Sequence, residues 1–231
     1  HAPTRWAESG ELLSCATVLN DIVGRALCAD DPKRRARSVR KPTTHHKEVT
    51  LTMALDDATT AFLTEMAAAG GKAIHEMTPD EARGLTAMLA GMYGEGPEMK
   101  NSEDVTVPVD GGEILVRVLT PIEDPRGVLV YFHGGGWVIG AVPEFDTLGR
   151  VLAERTGMTT LLVDYRLAPE HRFPVAIDDS WAALNWADAH RSDLCPSGGP
   201  MVVAGDSAGG NISAVLAQRA KDSDGPHIDM Q

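Results

Sequence analysis

The sequence Val203-Ala204-Gly205-Asp206-Ser207-Ala208-Gly209-Gly210-Asn211 decides the fold of this chain. The apolar run Met201 to Ala204 predicts a buried strand, and apolar residues at helical spacing predict a helix from Ala208 to Ala220. Between them, Gly205 to Gly209 matches G-x-S-x-G, which is typical of a nucleophile elbow, a sharp strand-to-helix turn that exposes a serine hydroxyl. The alternative is a tight turn whose serine caps the helix. The flanking strand and helix favour the elbow, with Ser207 as a nucleophile.

A second glycine-rich stretch follows another predicted buried strand, Val128 to Phe132. It reads His133-Gly134-Gly135-Gly136-Trp137, the kind of pattern that supplies backbone donors to an oxyanion hole beside a nucleophile elbow. Attack on an ester carbonyl places negative charge on its oxygen, and loss of one N–H donor to that charge costs about 2.7–4 kcal/mol. A glycine loop without such a role is the alternative. Two matched motifs in the correct order favour the oxyanion hole, and we predict the N–H groups of Gly134, Gly135 and Ala208 as its donors.

Three stretches together resemble one known family. They are His133 to Trp137, Gly205 to Asn211, and Asp164-Tyr165-Arg166-Leu167-Ala168-Pro169-Glu170. They look like the motifs of the hormone-sensitive lipase family of α/β-hydrolase carboxylesterases, and the resemblance extends from about Leu55 to the last residue. It implies an α/β-hydrolase fold, hydrolysis of small short-acyl esters through an acyl-enzyme on Ser207, and no cofactor.

Supporting roles fit three polar side chains within these motifs. His133 stands directly ahead of the donor loop, and we predict that it holds the loop by hydrogen bonding rather than acting as the base. Asp206 precedes the nucleophile and is expected to stabilise the elbow rather than to join the triad. Arg166 has five donors, which fits a role in tying its own motif together, with Asp164 and Glu170 as partners.

The sequence lacks an evident base for Ser207. In α/β-hydrolases the triad residues follow the order Ser, Asp or Glu, then His. The carboxylate and histidine residues after the predicted elbow helix are few: Asp222, Asp224, His227 and Asp229. Asp224 and His227 have the right order, but they precede a predicted strand and should lie at its N-terminal end, opposite Ser207. We predict that the chain carries the nucleophile and oxyanion half of an esterase site without the triad Asp and His.

These observations leave three interpretations. We favour the first, in which the sequence is a truncated or incomplete part of a full esterase. In the second, it is a real product that folds poorly or needs a partner. In the third, it is a non-catalytic member of the α/β-hydrolase fold that binds a small ligand, although such a protein would need neither Ser207 nor an oxyanion hole.

The composition excludes several classes of function. The chain has 231 residues, of which 43% are hydrophobic and 23% charged, as in an ordinary soluble domain. Its formal net charge of −12 argues against nucleic acid or an anionic membrane as a partner, and no apolar run is long enough to span a membrane. The cysteines, at positions 15, 28 and 195, show neither metal-ligand spacing nor a disulfide framework. We predict a cytoplasmic protein that acts on a small molecule, and the oligomeric state stays open.

Residues 1–52 differ from the rest of the chain. They hold nine Lys/Arg and six Asp/Glu, a charge of +3, whereas the remaining residues hold 12 and 27, a charge of −15. The basic run Lys33-Arg34-Arg35-Ala36-Arg37 fits a solvated tail better than a nucleic-acid site. We predict that Met53 is the natural start and that residues 1–52 are a disordered or non-native extension.

The resemblance implies that the remainder divides into a helical cap region, 53–100, and the front portion of a catalytic domain, 101–231. In the cap region we predict a helix from Asp56 or Asp57 to Ala69. A second helix, opened by a capping box at Thr78-Pro79-Asp80-Glu81, is predicted from Pro79 to about Gly94. The second helix carries an apolar stripe for which we favour core packing over lining of an acyl pocket: Leu85, Met88, Leu89 and Met92.

The catalytic portion is predicted to be α/β with a mostly parallel sheet. An antiparallel hairpin turns at Asp110-Gly111-Gly112, and strands then alternate with helices, which indicates a parallel sheet that lacks its last strands. The predicted strands are 128–132, 159–163 and 201–204, and the predicted helices are 146–156, 175–189 and 208–220. In such sheets a ligand binds beyond the carboxyl ends of the strands, where both glycine motifs fall.

Overall fold

The structure is a computed structural model that describes residues 55–231. The extension predicted for residues 1–52 and the predicted start at Met53 therefore lie outside the described residues. The chain divides into two compact units, whose described parts are 55–77 and 78–231. Within 55–231, none of the helices combines the length and the apolar character that crossing a membrane requires.

The described part of the smaller unit contains helix α1, Asp57–Ala69. The side chain of Asp56 caps this helix by accepting the Thr59 N–H at 2.8 Å, and Gly70, with φ 68°, follows its last turn. A single 3₁₀ turn, Ile74–Glu76, comes next. The predicted helix from Asp56 or Asp57 to Ala69 is confirmed, and it starts at Asp57.

Helix α2, Pro79–Ala90, opens the described part of the larger unit with the predicted capping box. Thr78 Oγ1 accepts the Glu81 N–H at 3.3 Å, and Glu81 Oε2 accepts the Thr78 N–H at 2.8 Å. Two backbone donors that the helix itself leaves unpaired are thereby satisfied, which fixes the point where the chain enters the helix.

The predicted packing of the stripe along α2 is wrong for two of its four residues. Met88 and Met92 are 66% and 67% exposed. The helix ends at Ala90 rather than near Gly94, so that Met92 lies beyond it. Met88 lies within the helix, but off the face that carries the buried Ala82.

Five strands of the larger unit form one sheet. They are β1 Asn101–Val109, β2 Gly112–Thr120, β3 Val128–Phe132, β4 Thr159–Asp164 and β5 Met201–Gly205. Their order is β1-β2-β4-β3-β5. β2 is antiparallel to both β1 and β4, whereas β3 is parallel to both β4 and β5. The predicted hairpin and the predicted parallel core are both confirmed.

Helices cover both faces of this sheet. They are α3 Val142–Thr156, α4 Val175–Ala189, the short α5 Arg191–Leu194, and α6 Ala208–Asp222. Leu152 of α3 packs with Leu129 and Leu162 on one face, whereas Leu184 of α4 and Leu216 of α6 pack on the other. Burial of these apolar side chains holds the three layers together.

Helix α3 begins four residues before its predicted start at Asp146, and its cap explains the difference. Ala141 precedes the helix and has no side chain that could cap it. The carboxylate of Asp164, at the end of β4, accepts the Val142 N–H at 3.3 Å instead. A cap that comes from another strand leaves no local signal in the sequence.

The strand register brings the three motifs to one edge of the sheet. Phe132, the last residue of β3, lies opposite Val163 of β4 and Gly205 of β5. Because these strands are parallel, the segments that follow them leave the sheet at the same edge. The glycine loop, the loop after Asp164 and the elbow serine are therefore neighbours.

The last described residues lie at the other end of β5. The Asp229 N–H donates to Met201 O, at the start of that strand, at 2.8 Å. His227 Nε2 lies 3.4 Å from Asp229 Oδ1. As predicted, Asp224 and His227 come just before a parallel pairing at the edge opposite Ser207, so that they do not form a triad with it.

Candidate active site

The turn at Ser207 has the geometry of an elbow. Ser207 adopts φ 49° and ψ −116°, a conformation that costs a non-glycine residue about 1–3 kcal/mol, and its residue surface is exposed. A Cβ on Gly205 would lie 2.4 Å from Phe132 O, and one on Gly209 would lie 1.8 Å from the same oxygen. Only glycine fits at these two positions, which is the physical reason for the G-x-S-x-G spacing.

The alternative interpretation of Ser207 as a helix cap is wrong. Its side chain makes no capping hydrogen bond, although it stands directly before α6. The turn is closed by the backbone instead, since Asp206 O accepts the Gly209 N–H at 2.7 Å. Among the described residues, the Ala208 N–H has no acceptor, and it lies at the positive end of the helix dipole.

The first glycine of the loop is bound to the elbow. The Gly134 N–H donates to Asp206 Oδ1 at 2.7 Å, and the Tyr131 hydroxyl donates to the same oxygen at 2.9 Å. A Cβ on Gly134 would lie 2.1 Å from Asp206 Oδ2. We therefore correct one predicted role: the Gly134 N–H is not free to meet an oxyanion. Asp206 contributes to the elbow as predicted, and in addition it fastens the glycine loop to it.

His133 holds the next peptide of the loop. Its Nδ1 lies 2.7 Å from Gly134 O, and since a carbonyl only accepts, Nδ1 carries the proton. The carbonyl and N–H of a trans peptide point in opposite directions, so that this bond also sets the direction of the Gly135 N–H. The hydrogen bond that we predicted for His133 is thus present.

Burial explains why His133 does not act as a base here. The residue is 3% exposed, and its ring stacks on Tyr165 and Phe145 with centroid distances of 4.4 and 5.1 Å. Burial lowers the pKa of the imidazole, which keeps it neutral. Its Nε2 is buried without a hydrogen-bond partner among residues 55–231, so that it makes no hydrogen bond to Ser207.

A tight turn fixes the third glycine. Gly135 O accepts the N–H groups of Val138 and Ile139 at 3.1 and 3.0 Å. By the same geometry of the trans peptide, these bonds set the direction of the Gly136 N–H. Within the described part of the chain, neither the Gly135 nor the Gly136 N–H donates to any acceptor. Free, oriented donors therefore exist at Gly135, Gly136 and Ala208.

Arg166 is anchored, but by a partner that we did not predict. Its Nε and Nη2 donate to the Asp179 carboxylate at 2.8 and 2.7 Å, and its backbone N–H donates to the same group at 3.0 Å. The Nη2 also donates to Asp110 O at 2.9 Å. Hydrogen bonding to Asp179 raises the pKa of the guanidinium. The arginine thus ties its loop to α4 and to the hairpin.

The two partners predicted for Arg166 have other contacts. Asp164 caps α3, as described above, and Glu170 forms an ion pair with Arg83 at 2.8 Å. The prediction of Asp164 and Glu170 as partners is therefore wrong. Asp179 carried a signal that we missed: it lies at helical spacing from Ala176 and Ala183, on the buried face of α4, and is 1% exposed.

Two carboxylates lie at the start of α3: Asp164, which caps the helix, and Glu144, which is in its first turn. Burial raises the pKa of Asp164. Burial also raises the pKa of Glu144, and the nearby Asp164 adds to the shift. Among the described residues, no group of three or more His, Cys, Asp or Glu side chains could hold a metal ion.

Comparison with known proteins agrees with this geometry. A family described as having the α/β hydrolase fold matches residues 129–231. The solved structure of a hyperthermophilic esterase from the archaeon Pyrobaculum calidifontis matches with a TM-score of 0.67 and 36% identity, over 76% of this chain and 57% of that chain. The chain has the α/β-hydrolase fold.

Curated relatives of this chain include esterases. Carboxylesterase NlhH of Mycobacterium tuberculosis is 47% identical over 138 residues, which is 58% of this chain and 43% of the relative. Ethyl acetate hydrolase of Pseudomonas putida is 35% identical over 167 residues, which is 68% of this chain and 52% of the relative. The resemblance to α/β-hydrolase carboxylesterases is confirmed. The chain spans about half the length of the curated relatives that it matches.

Proposed function

We propose that this chain carries the nucleophile and the oxyanion-binding half of a serine carboxylesterase that acts on small, short-acyl esters. One observation supports the proposal above the others. Ser207 is exposed on a strained elbow that the Gly134–Asp206 hydrogen bond joins to the glycine loop, and three N–H groups of the elbow and the loop have no acceptor among the described residues. Donors held in advance of the reaction stabilise the charge that develops on an ester oxygen.

The proposed reaction is acyl transfer to water. Ser207 Oγ attacks the ester carbonyl carbon and gives its proton to a base. The carbonyl oxygen becomes an oxyanion that the N–H groups of Gly135, Gly136 and Ala208 bind, and the C–O bond to the alcohol then breaks. The alcohol leaves with a proton, and water hydrolyses the acyl-enzyme by the reverse sequence. Gly136 replaces Gly134 in this scheme because Asp206 already occupies the Gly134 N–H.

We propose that the base and its carboxylate partner do not come from residues 55–231. His133 is buried and engaged with Gly134, and His227 pairs with Asp229 at the opposite edge of the sheet. A serine hydroxyl is a weak nucleophile until a base takes its proton. Without that base, this chain is expected to react slowly.

The absence of a base beside Ser207, within the described residues, is also what favours the alternative function. In that case the chain would be a non-catalytic member of the fold that binds a small ligand in the same place. The two proposals differ in one property. A catalytic half-site must form a covalent bond through Ser207 when a base is supplied, whereas a binding site need not.

Chemical rescue tests the proposal. A p-nitrophenyl alkylphosphonate is added to the chain with and without imidazole, which serves as the missing base. The Ser207 Oγ–P bond forms, nitrophenolate leaves, and imidazole takes the serine proton. We expect phosphonylation of Ser207, detected by peptide mass spectrometry, to become faster with imidazole concentration.

Two variants serve as controls. Ser207→Ala should not be labelled, and Ser223→Ala, which changes an exposed serine at the other end of α6, should be labelled like the wild type. Failure of imidazole to promote labelling of Ser207 would contradict the esterase proposal and favour the binding alternative.

A further inference from the structure

One arginine outside the three motifs contacts two of them. Arg83 projects from α2, and its Nε donates to Val138 O at 2.8 Å. Its Nη2 donates to Ala168 O at 2.9 Å. The guanidinium also forms a two-pronged pair with Glu170, with Nη1–Oε1 and Nη2–Oε2 distances of 2.9 and 2.8 Å. Four of its five N–H donors are therefore used in contacts with two loops.

These two loops are the ones that build the site. Val138 belongs to the turn that follows the glycine loop, and Ala168 and Glu170 belong to the loop after β4. The loops also meet directly, because the Ala168 N–H donates to Trp137 O at 2.8 Å. Arg83 binds the carbonyl of Val138, which follows Trp137 in the first loop, and the carbonyl of Ala168 in the second loop. It thus closes the junction from the side of α2.

The contact between the two loops is linked through the backbone to the Gly136 N–H, a proposed oxyanion donor. The Val138 N–H donates to Gly135 O at 3.1 Å, while the Val138 carbonyl accepts from Arg83. Gly135 O and the Gly136 N–H belong to one rigid peptide. A shift of Val138 would consequently rotate the Gly136 N–H away from the position it needs.

We infer that Arg83 is a positioning residue of the oxyanion hole, which it serves by locking the turn at Val138 to the loop at Ala168 and Glu170. The inference rests on the proposed function, because it concerns the donors that would bind the oxyanion. It assigns to α2 a part in catalysis that does not require contact with the substrate.

Arg83 is expected to affect the rate of the reaction more than the stability of the fold. The side chains of Arg83 and Glu170 are 27% and 52% exposed, and exposed ion pairs contribute little to stability. By contrast, loss of one oxyanion donor slows a reaction by about 10²–10³. Hydrogen bonding to Arg83 lowers the pKa of Glu170 to about 2, so that the pair stays charged at every pH where esters are assayed.

Lysine is not expected to replace Arg83. The planar guanidinium reaches two carbonyls and both oxygens of a carboxylate at once, whereas an ammonium is a point charge with three donors. Arg83→Lys therefore separates the effect of the charge from the effect of the geometry. Arg83→Gln removes both.

The test compares these variants with Arg219→Gln in the full chain. Arg219 also pairs with a half-exposed carboxylate, Asp178, at 2.8 Å, but it contacts neither loop. We measure imidazole-promoted phosphonylation of Ser207, hydrogen exchange of the segment 133–141, and the midpoint of thermal unfolding. Arg83→Gln and Arg83→Lys should react at least about tenfold more slowly and exchange faster in this segment, with midpoints close to that of Arg219→Gln.

Three outcomes would distinguish a failure of the proposed role of Arg83 from a failure of the proposed function. Wild-type rates and wild-type exchange in Arg83→Gln would overturn the inference and leave the proposed function intact. Wild-type behaviour of Arg83→Lys would also overturn it, because the charge alone would then suffice. If the wild type is not phosphonylated, the proposed function fails, and hydrogen exchange still decides whether Arg83 orders the loop.

Discussion

Asp206 accepts the backbone N–H of Gly134 at 2.7 Å and so joins two motifs that stand 72 positions apart. The bond fixes the distance between the elbow and the glycine loop, because it runs from the residue before Ser207 to the first glycine. It also gives the N–H groups of the three glycines different roles. The first N–H holds the loop in place, and the following two stay free for a ligand.

Removal of the Asp206 carboxylate should destabilise the fold. Asp206→Ala removes the acceptor of the buried Gly134 N–H, and a buried donor that loses its acceptor costs about 1–3 kcal/mol. Asp206→Asn keeps an acceptor oxygen and should lose less. Urea unfolding measures the difference, with the exposed Asp222→Ala as control. Equal stability of Asp206→Ala and this control would show that the hydrogen bond between Asp206 and Gly134 does not stabilise the fold.

Gly134 should tolerate no side chain, although another glycine of the same unit does. Gly134→Ala places a Cβ 2.1 Å from Asp206 Oδ2, and we expect a loss of about 1–3 kcal/mol in the free energy of unfolding. In Gly84→Ala, on α2, the new Cβ meets nothing within 4 Å. That variant should gain about 0.5–1 kcal/mol, because alanine restricts the unfolded chain and favours the helix. The same sign of change in both variants would be inconsistent with the packing of Gly134.

Two arginines should differ strongly in their contribution to stability. Arg166→Met removes both guanidinium donors from the Asp179 carboxylate, which is 1% exposed, and leaves it the backbone N–H of residue 166; loss of one member of a buried pair costs about 3–5 kcal/mol. Arg219→Met breaks a half-exposed pair with Asp178 and should cost less than about 1 kcal/mol. Denaturant unfolding of the two variants gives the comparison. If Arg166→Met lost no more than Arg219→Met, the anchoring of Arg166 through Asp179 would be refuted.

The strands and the elbow could be predicted because their signals are local. β3 is a continuous apolar run, and its predicted bounds, Val128 and Phe132, are the observed ones. The predicted bounds of α4, Val175 and Ala189, are also observed. The glycines around Ser207 follow from close contact with Phe132 O, a requirement that the G-x-S-x-G spacing already contains.

The errors concern groups that meet only after folding. The start of α3 depends on Asp164, which reaches it from β4, and the partner of Arg166 lies on α4. Which glycine N–H groups stay free depends on where Asp206 points. A motif names the residue types of a site, whereas the assignment of each hydrogen bond requires the fold.

The buried carboxylate of Asp164 should make stability depend on pH in a direction that can be stated in advance. Burial raises the pKa of Asp164 in the folded protein, although the Val142 N–H and Arg117 oppose the shift. The folded state therefore binds this proton more tightly than the unfolded state. The resulting stabilisation is fully present below the unfolded pKa, about 3.9, and is lost as the pH rises through the folded pKa.

Asp164→Asn isolates this contribution, because an amide cannot titrate but can still accept the Val142 N–H. The free energy of unfolding of the wild type should fall relative to that of Asp164→Asn as the pH rises from about 4 to 7, measured by urea unfolding at each pH. Asp124→Asn, at a side chain that is 98% exposed, is the control, and its difference from the wild type should change little over that range. A wild type that gains stability over Asp164→Asn with rising pH would show that the carboxylate is stabilised as an anion, against the burial seen here.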